Sequence, residues 1–229
     1  ASRVLEWGGE GRPQSLSSLF DAFTGMRDNF VGTGQDPANQ LGGFDFKLKL
    51  QPLLGLPSSI YGQMIGEDEA SGLPSKHSYL LGLDGHSIWD NTGAVNWRIE
   101  GANTFSRLNS KNVMYRHGTY KDGYYQQGYP LGHAIGGDGK MISGAAEVVF
   151  YSGHRINTRF FYAQVNEANQ IINQAFPKSD TLKGVSIGWS GKVSKQVKLG
   201  TSLWYTKGKY DHDEGVAINV EFPISGLNF

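Results

Sequence analysis

LGGFDFKLKL, residues 41–50, places Phe44, Phe46, Leu48 and Leu50 on one side of an extended chain and Asp45, Lys47 and Lys49 on the other. A period of two means a strand with one apolar and one wet face. The pattern recurs. Val95, Trp97 and Ile99 alternate with Asn96, Arg98 and Glu100, and Val185, Ile187, Trp189 and Val193 alternate with Ser186, Gly188, Ser190 and Lys192. Val197, Leu199, Leu203 and Tyr205 share one face, as do Val216, Ile218, Val220 and Phe222. About ten strands follow from such segments, over 1–7, 41–50, 59–67, 78–85, 94–105, 140–151, 155–166, 182–193, 197–208 and 216–224. Two of them, 59–67 and 155–166, mix residue sizes on both faces, which predicts bulges.

The connections sort by parity. QPLLGLPS, HSIWDNTG, SGH and SKQ, after even-numbered strands, are short, whereas 8–40, 68–77, 106–139 and 167–181, after odd-numbered ones, are long, and only the last, KYDHDEG, is brief. Short turns at one end and long loops at the other predict an all-β, antiparallel up-and-down transmembrane β-barrel. Strands of nine to eleven or so residues cross the hydrocarbon when tilted. Trp7, Tyr79, Trp89, Tyr151, Tyr162, Tyr205 and Tyr210 fall near strand ends, where an interfacial girdle sits. Phe229, with Leu227 two before it, resembles the terminal assembly tag of outer-membrane barrels.

Composition narrows the classes. The 229 residues carry zero net charge, which argues against a nucleic-acid binder. No cysteine is present, so disulfides and thiolate metal sites are excluded. ASRVLEW has neither the basic nor the apolar stretch of a secretory leader. Within the first long loop, Leu16, Leu19, Phe20 and Phe23 follow helical spacing, with Ser15 as N-cap and Gly25 as stop. That stripe is expected to be buried across the barrel mouth, with contact to the membrane surface as the alternative.

MYRHGTYKDGYYQQGYPLGHAIGGDG, 114–139, is the other distinctive stretch, with seven glycines and five tyrosines. Its glycines let the chain fold tightly, inward over the lumen. Its tyrosines suit either stacking on the C–H faces of sugars or packing the loop against the wall.

Four stretches resemble the outer-membrane capsule-assembly Wzi family: SRVLEWGGEGRPQSLSSLFDAFTGMRDN (2–29), PANQLGGFDF (37–46), IYGQMIGEDEASGLPS (60–75) and RHGTYKDGYYQQGYPLGH (116–133). The resemblance implies a larger barrel of about eighteen strands, of which this chain is the C-terminal half. Residues 1–229 would form one β-barrel domain, with a helix-bearing loop at 8–40 and an external loop at 106–139. A self-closed ten-stranded barrel is the alternative. The resemblance further implies a non-enzymatic, lectin-like protein in the outer membrane of a Gram-negative bacterium, binding capsular or extracellular polysaccharide and tethering it to the cell surface. The alternative is a porin or saccharide channel. Implied partners are the polysaccharide, outer-membrane lipid and the barrel assembly machinery; no nucleic acid, cofactor or metal is expected.

Candidates for glycan contact are Arg116, His117, Tyr120, Lys121, Asp122, Tyr124, Tyr125, Gln127 and Tyr129, with Glu67 and Glu69 from GEDE. Aromatic faces stack on sugar rings while charged and amide groups bond hydroxyls. Glu67 and Glu69 could instead form a carboxylate pair for glycoside hydrolysis, a calcium site with Asp68 or a solvated rim. Ser110 and His117 share a loop but lack a nucleophile-elbow motif. Asp45, Lys47, Lys49, Arg98, Glu100, Glu147 and Arg159 fall on wet faces and would line a lumen, either as a charged pore or as an ion-pair network.

Overall fold

The computed structural model describes residues 1–9, 12–24, 38–70, 73–89, 91–106, 113–117, 120–171 and 173–222. A ten-stranded antiparallel sheet forms its wall. The strands are β1 (Ser2–Trp7), β2 (Ala38–Lys49), β3 (Ser58–Ala70), β4 (Leu73–Trp89), β5 (Gly93–Asn103), β8 (Lys140–Phe150), β9 (Arg155–Val165), β10 (Asp180–Lys192), β11 (Lys198–Lys207) and β12 (His212–Glu221). A small separate hairpin, β6 (Tyr125–Gln126) and β7 (Tyr129–Pro130), lies in the β5–β8 connection. Helix α1 spans Leu16–Thr24, and one short turn of helix, α2, spans Gln51–Leu54. Each wall strand pairs with its sequence neighbours, and β1 and β12 are the two edges. The self-closed ten-stranded alternative is therefore not met: β1 and β12 do not pair with each other.

Register shows how the alternation becomes a wall. Leu48, Ile60, Leu83, Ile99, Gly144, Phe160, Val185 and Tyr205 stand directly opposite one another on successive strands. One residue along, the row reads Lys49, Ser59, Asp84, Arg98, Ala145, Arg159, Ser186 and Trp204. Opposite residues share a face and adjacent ones do not, so the first row is outer and apolar and the second inner and polar. Outer residues such as Phe44, Phe46, Leu81, Phe160, Val185 and Ile218 are exposed. An apolar face this extended is untenable in water, and it is the face a membrane barrel turns to lipid.

The expected bulges are absent: β3 and β9 pair one-to-one with both neighbours. The mixed sizes have another cause. Large rings lie across glycines on the facing strand, Phe46 over Gly62, Tyr61 over Gly82, Phe160 over Gly144 and Phe161 over Gly184. A Cβ at Gly62 would come within 2.7 Å of the Phe46 ring. Glycine there accommodates a neighbouring ring rather than a kink.

The ends differ as the parity pattern predicts. Connections 50–57, 90–92, 151–154 and 193–197 lie at one end, and 8–37, 104–139 and 166–179 at the other, together with the brief 208–211. Residues 68–77 correct the expectation of a long loop. β3 and β4 continue as a paired ladder as far as Ala70 opposite Leu73, so this connection is a tall hairpin. In the first short connection, Gly55 takes φ 69° and donates its backbone N–H to the Gln51 carbonyl, ending α2.

Helix α1 forms where expected, with Ser15 Oγ accepting from the Ser18 backbone N–H at 3.1 Å. Its orientation is a correction. Ser18 and Ala22 are the buried positions, whereas Leu16, Phe20 and Phe23 are exposed. The helix docks through its small-residue side, where Trp7 Nε1 donates to Ser18 Oγ (3.2 Å) and Arg3 to the Phe23 carbonyl (2.9 Å). Trp7, at the end of β1, thus also anchors the helix. Gly25, Leu227 and Phe229 lie outside the described residues.

The face assignment makes a direct prediction. Val185→Arg, on the outer row, should destabilise the bilayer-inserted protein by roughly 2–4 kcal/mol near mid-membrane. Ser186→Arg, one residue on, should cost no more than about 1 kcal/mol, from setting it opposite Arg159. Reversible denaturant unfolding in lipid vesicles reads both, and equal losses would contradict the two-faced wall.

Candidate functional site

The β5–β8 connection folds back on the inner face of the wall. Thr104, just past β5, fastens its far end: its backbone N–H donates to the Gly139 carbonyl (2.8 Å) and its Oγ1 to the Gly136 carbonyl (2.6 Å). Ile135 packs among Ala102, Ala163 and Val165. Met114, Tyr115, Tyr124 and Tyr125 form a second cluster against Leu41 and Ile65. Each buried phenol is tied. Tyr115 Oη accepts from the His133 backbone N–H (2.7 Å), and Tyr124 Oη donates to the Asn39 carbonyl (3.0 Å). Tyr125 Oη donates to Asn173 Oδ1 (3.2 Å) and accepts from the Gly137 N–H (3.2 Å).

This placement corrects part of the expected glycan surface. Tyr124 and Tyr125 are only 4% and 5% exposed, so they hold the loop to the wall and have no free face to stack on a sugar. Tyr120 is half-buried, with the Arg12 guanidinium 5.4 Å above its ring and the His117 ring 5.3 Å away. Tyr129 is the opposite case at 75% exposed. It follows a two-residue turn, Gln127–Gly128, in which both residues have positive φ (52° and 83°), the requirement of a type I′ hairpin. The turn joins β6 to β7 and holds the Tyr129 ring away from the wall. Arg116, Lys121, Asp122, Gln126 and Gln127 are exposed on the same folded segment. Glu67 and Glu69 occupy the projecting end of β3, where side chains lie outside the described residues, as does Ser110.

Sequence reasoning missed the second support. Asn166 and Asn173 are fully buried in the β9–β10 connection. Asn166 Nδ2 donates to the carbonyls of Gln170 (2.9 Å) and Phe176 (2.7 Å), and Asn173 Nδ2 to that of Gly137 (2.8 Å). Lys140 bridges to Glu167 at 2.6 Å, and Gln174 Nε2 donates to the Asp122 carbonyl at 3.3 Å. Nothing in an asparagine-rich stretch marks which amides face inward.

The expected lumen residues are on the inner face, in two states. Lys47 pairs with Asp84 across β3, Glu147 meets Arg155 at 3.7 Å, and Tyr61 Oη donates to Glu100 at 2.8 Å. Asp45 lies opposite Gln63. Lys49, Arg98 and Arg159 have no such pairing among the described residues and, with Lys47, Asp84 and Glu147, line a cleft of about 1020 Å³. The inner face is thus neither a fully interlocked network nor a uniform charged lining.

Burial tunes the docked loop. It pushes the Tyr115 phenol up to about 12, and that of Tyr125 upward too. It holds His133 below its ordinary 6.5, with the Glu100 charge opposing the shift. His133 Nδ1 accepts from the Ile135 N–H (3.3 Å), as the neutral ring can. A released loop protonates His133 near 6.5, whereas the docked loop resists, so docking is strongest above that pH and weakens as pH falls below it. The tyrosines act oppositely: a released loop ionises near 10, so docking weakens again as pH rises past it. Cleavage of the loop by a non-specific protease should therefore speed up below about pH 6 and above about pH 10. A flat profile would contradict the packing described.

Comparison with known proteins agrees with this geometry. The family of capsule assembly protein Wzi matches residues 1–214. A 55.8 kDa protein of the cps region in Klebsiella pneumoniae is 53% identical over 227 residues, covering 98% of this chain and 44% of its own length. The structure of Wzi from Escherichia coli, an outer membrane protein involved in group 1 capsule assembly and described as a carbohydrate binding β-barrel, superimposes with a TM-score of 0.79 at 49% identity. That alignment covers 97% of this chain and 47% of the other. The chain thus spans about half the length of the relatives it matches. On sequence, register and loop placement together, it belongs to the Wzi capsule assembly family.

Proposed function

We propose that this chain is part of the wall and outer rim of an outer-membrane barrel in a Gram-negative bacterium, and that the rim binds capsular polysaccharide and tethers it to the cell surface without chemical turnover. The carrying observation is the folded β5–β8 connection: Tyr129 projects as an open ring, while Tyr115, Tyr124 and Tyr125 anchor the segment beneath it. A rigid support with an exposed aromatic face and nearby charged and amide groups suits recognition of sugars, because little ordering remains to be done on binding. The relatives' description as capsule assembly and carbohydrate-binding proteins supports the same reading.

Within it, Tyr129 is the stacking residue, and Arg116, Lys121, Asp122 and Gln127 bond hydroxyl and acidic groups around it. His117 and Tyr120, whose rings lie 5.3 Å apart, complete that surface. The outer apolar rows contact lipid. The porin alternative is disfavoured by the two long connections resting on the inner wall.

Tyr129→Ala should weaken binding of purified capsular polysaccharide about fivefold, a stacking contribution of about 1 kcal/mol. Combining it with Arg116→Ala and Lys121→Ala should release most cell-bound capsule into the medium while heat-modifiable migration of the barrel is unchanged. Wild-type retention by the triple variant would reject the rim as the binding surface, and depolymerised glycan on incubation with wild-type protein would reject the non-enzymatic reading.

A further inference from the structure

We propose a second glycan site inside the barrel, on the inner wall below the docked loops, that takes an acidic polysaccharide through its regularly spaced carboxylates. It rests on the glycan-binding reading for its ligand class, but on different residues. The cleft of about 1020 Å³ on the inner face is floored by one register row. That row reads Lys49, Ser59, Asp84, Arg98, Ala145, Arg159 and Ser186, three cations spaced by short side chains, with one carboxylate, Asp84, opposite Arg98.

Charge bookkeeping favours an anion. Four cations, Lys47, Lys49, Arg98 and Arg159, line the cleft with two carboxylates, Asp84 and Glu147. Lys47 takes Asp84 and Arg155 takes Glu147. Glu100, one layer toward the loops, accepts from Tyr61. Lys49, Arg98 and Arg159 are left without a carboxylate in salt-bridge range among the described residues. A guanidinium or an ammonium held there attracts a carboxylate by its charge.

Spacing favours a polymer over a single anion. Lys49 and Arg98 are three strands apart and Arg98 and Arg159 two, which is roughly 14 Å and 10 Å at about 4.8 Å per strand. One sugar acid cannot bridge those gaps, whereas a chain bearing an acid on successive repeats can, and each further contact is then intramolecular. Ser59, Asn96, Asn157 and Ser186 line the same cleft and supply hydroxyl and amide partners between the charges. The small side chains of Ser59, Ala145 and Ser186 leave the sugar backbone room to lie against the wall.

Titration calorimetry on the full-length protein in detergent tests this with oligogalacturonate, monomeric galacturonate and a neutral malto-oligosaccharide of equal length. The luminal variant Lys49→Gln/Arg98→Gln/Arg159→Gln should bind oligogalacturonate about 30-fold or more weakly. Wild-type binding of that oligomer should fall steeply with salt, and monomer and neutral sugar should bind far more weakly than the oligomer. The charge-preserving Arg98→Lys/Arg159→Lys protein should stay within several-fold of wild type. If the luminal variant binds like wild type while Tyr129→Ala does not, the inner site is overturned and the rim reading stands. If the charge-preserving variant loses as much as the glutamine variant, the effect is structural and the inner site is likewise overturned. Loss only in the luminal variant assigns the oligomer to the inner wall and separates it from the rim.

Discussion

A sheet whose outer side meets hydrocarbon has no freedom in its register. Every backbone polar group must be paired within the wall, and a slip of one residue would move a whole strand's charges into lipid. The paired rows beginning at Leu48 and Lys49 carry this constraint across the sheet: eight positions in register on the outer side are apolar or glycine up to Tyr205, and their neighbours are polar or small up to Trp204. The rings set over Gly62, Gly82, Gly144 and Gly184 add a steric lock to the same pairing. Shifting either strand would drive the ring against a neighbouring side chain instead of a vacant Cβ position.

With the wall so constrained, variation is confined to its ends. The connections at one end are short, and those at the other carry most of the chain outside the sheet. The β5–β8 and β9–β10 connections use the inner wall as a floor. Tyr115, Tyr124 and Tyr125 fill space between loop and wall, with their phenols bonded to backbone or to Asn173. Asn166 and Asn173 satisfy carbonyls that would otherwise be buried without partners. Tyrosine serves this double environment well, since its ring packs apolar surface while its hydroxyl reaches a polar one. The exposed Tyr129 depends on that buried set, because a mobile platform would lose on ordering what it gains in stacking.

The features that could be read in advance share a cause. Strands facing two different solvents must alternate, and alternation is local, so ten strands, their polarity and the sidedness of the long connections were visible in residues such as Phe44–Lys49 and Val95–Glu100. The cap on α1 was visible too, because Ser15 bonds only three residues ahead. Misreadings arose where a partner distant in sequence decided the outcome. The helical stripe of Leu16, Phe20 and Phe23 suggested burial, but the bonds from Arg3 and Trp7 fasten the opposite, small-residue side. Mixed sizes in β3 and β9 suggested bulges, because the glycine beneath each ring lies on another strand. Residues 68–77 suggested a loop because glycine and proline interrupt the alternation, yet the ladder runs on to Leu73.

The sequence by itself determined which side of each strand is apolar, the number of strands and which end bears the long connections, since each is a property of neighbours along the chain. Tertiary structure alone decided the roles within the 114–139 segment. Five tyrosines of one type in one stretch divide into three buried anchors, one half-buried support and one open ring. It also decided which inner-face cations keep a carboxylate partner and which do not. Both depend on groups brought together across strands and loops, and a one-dimensional pattern carries no record of those distances.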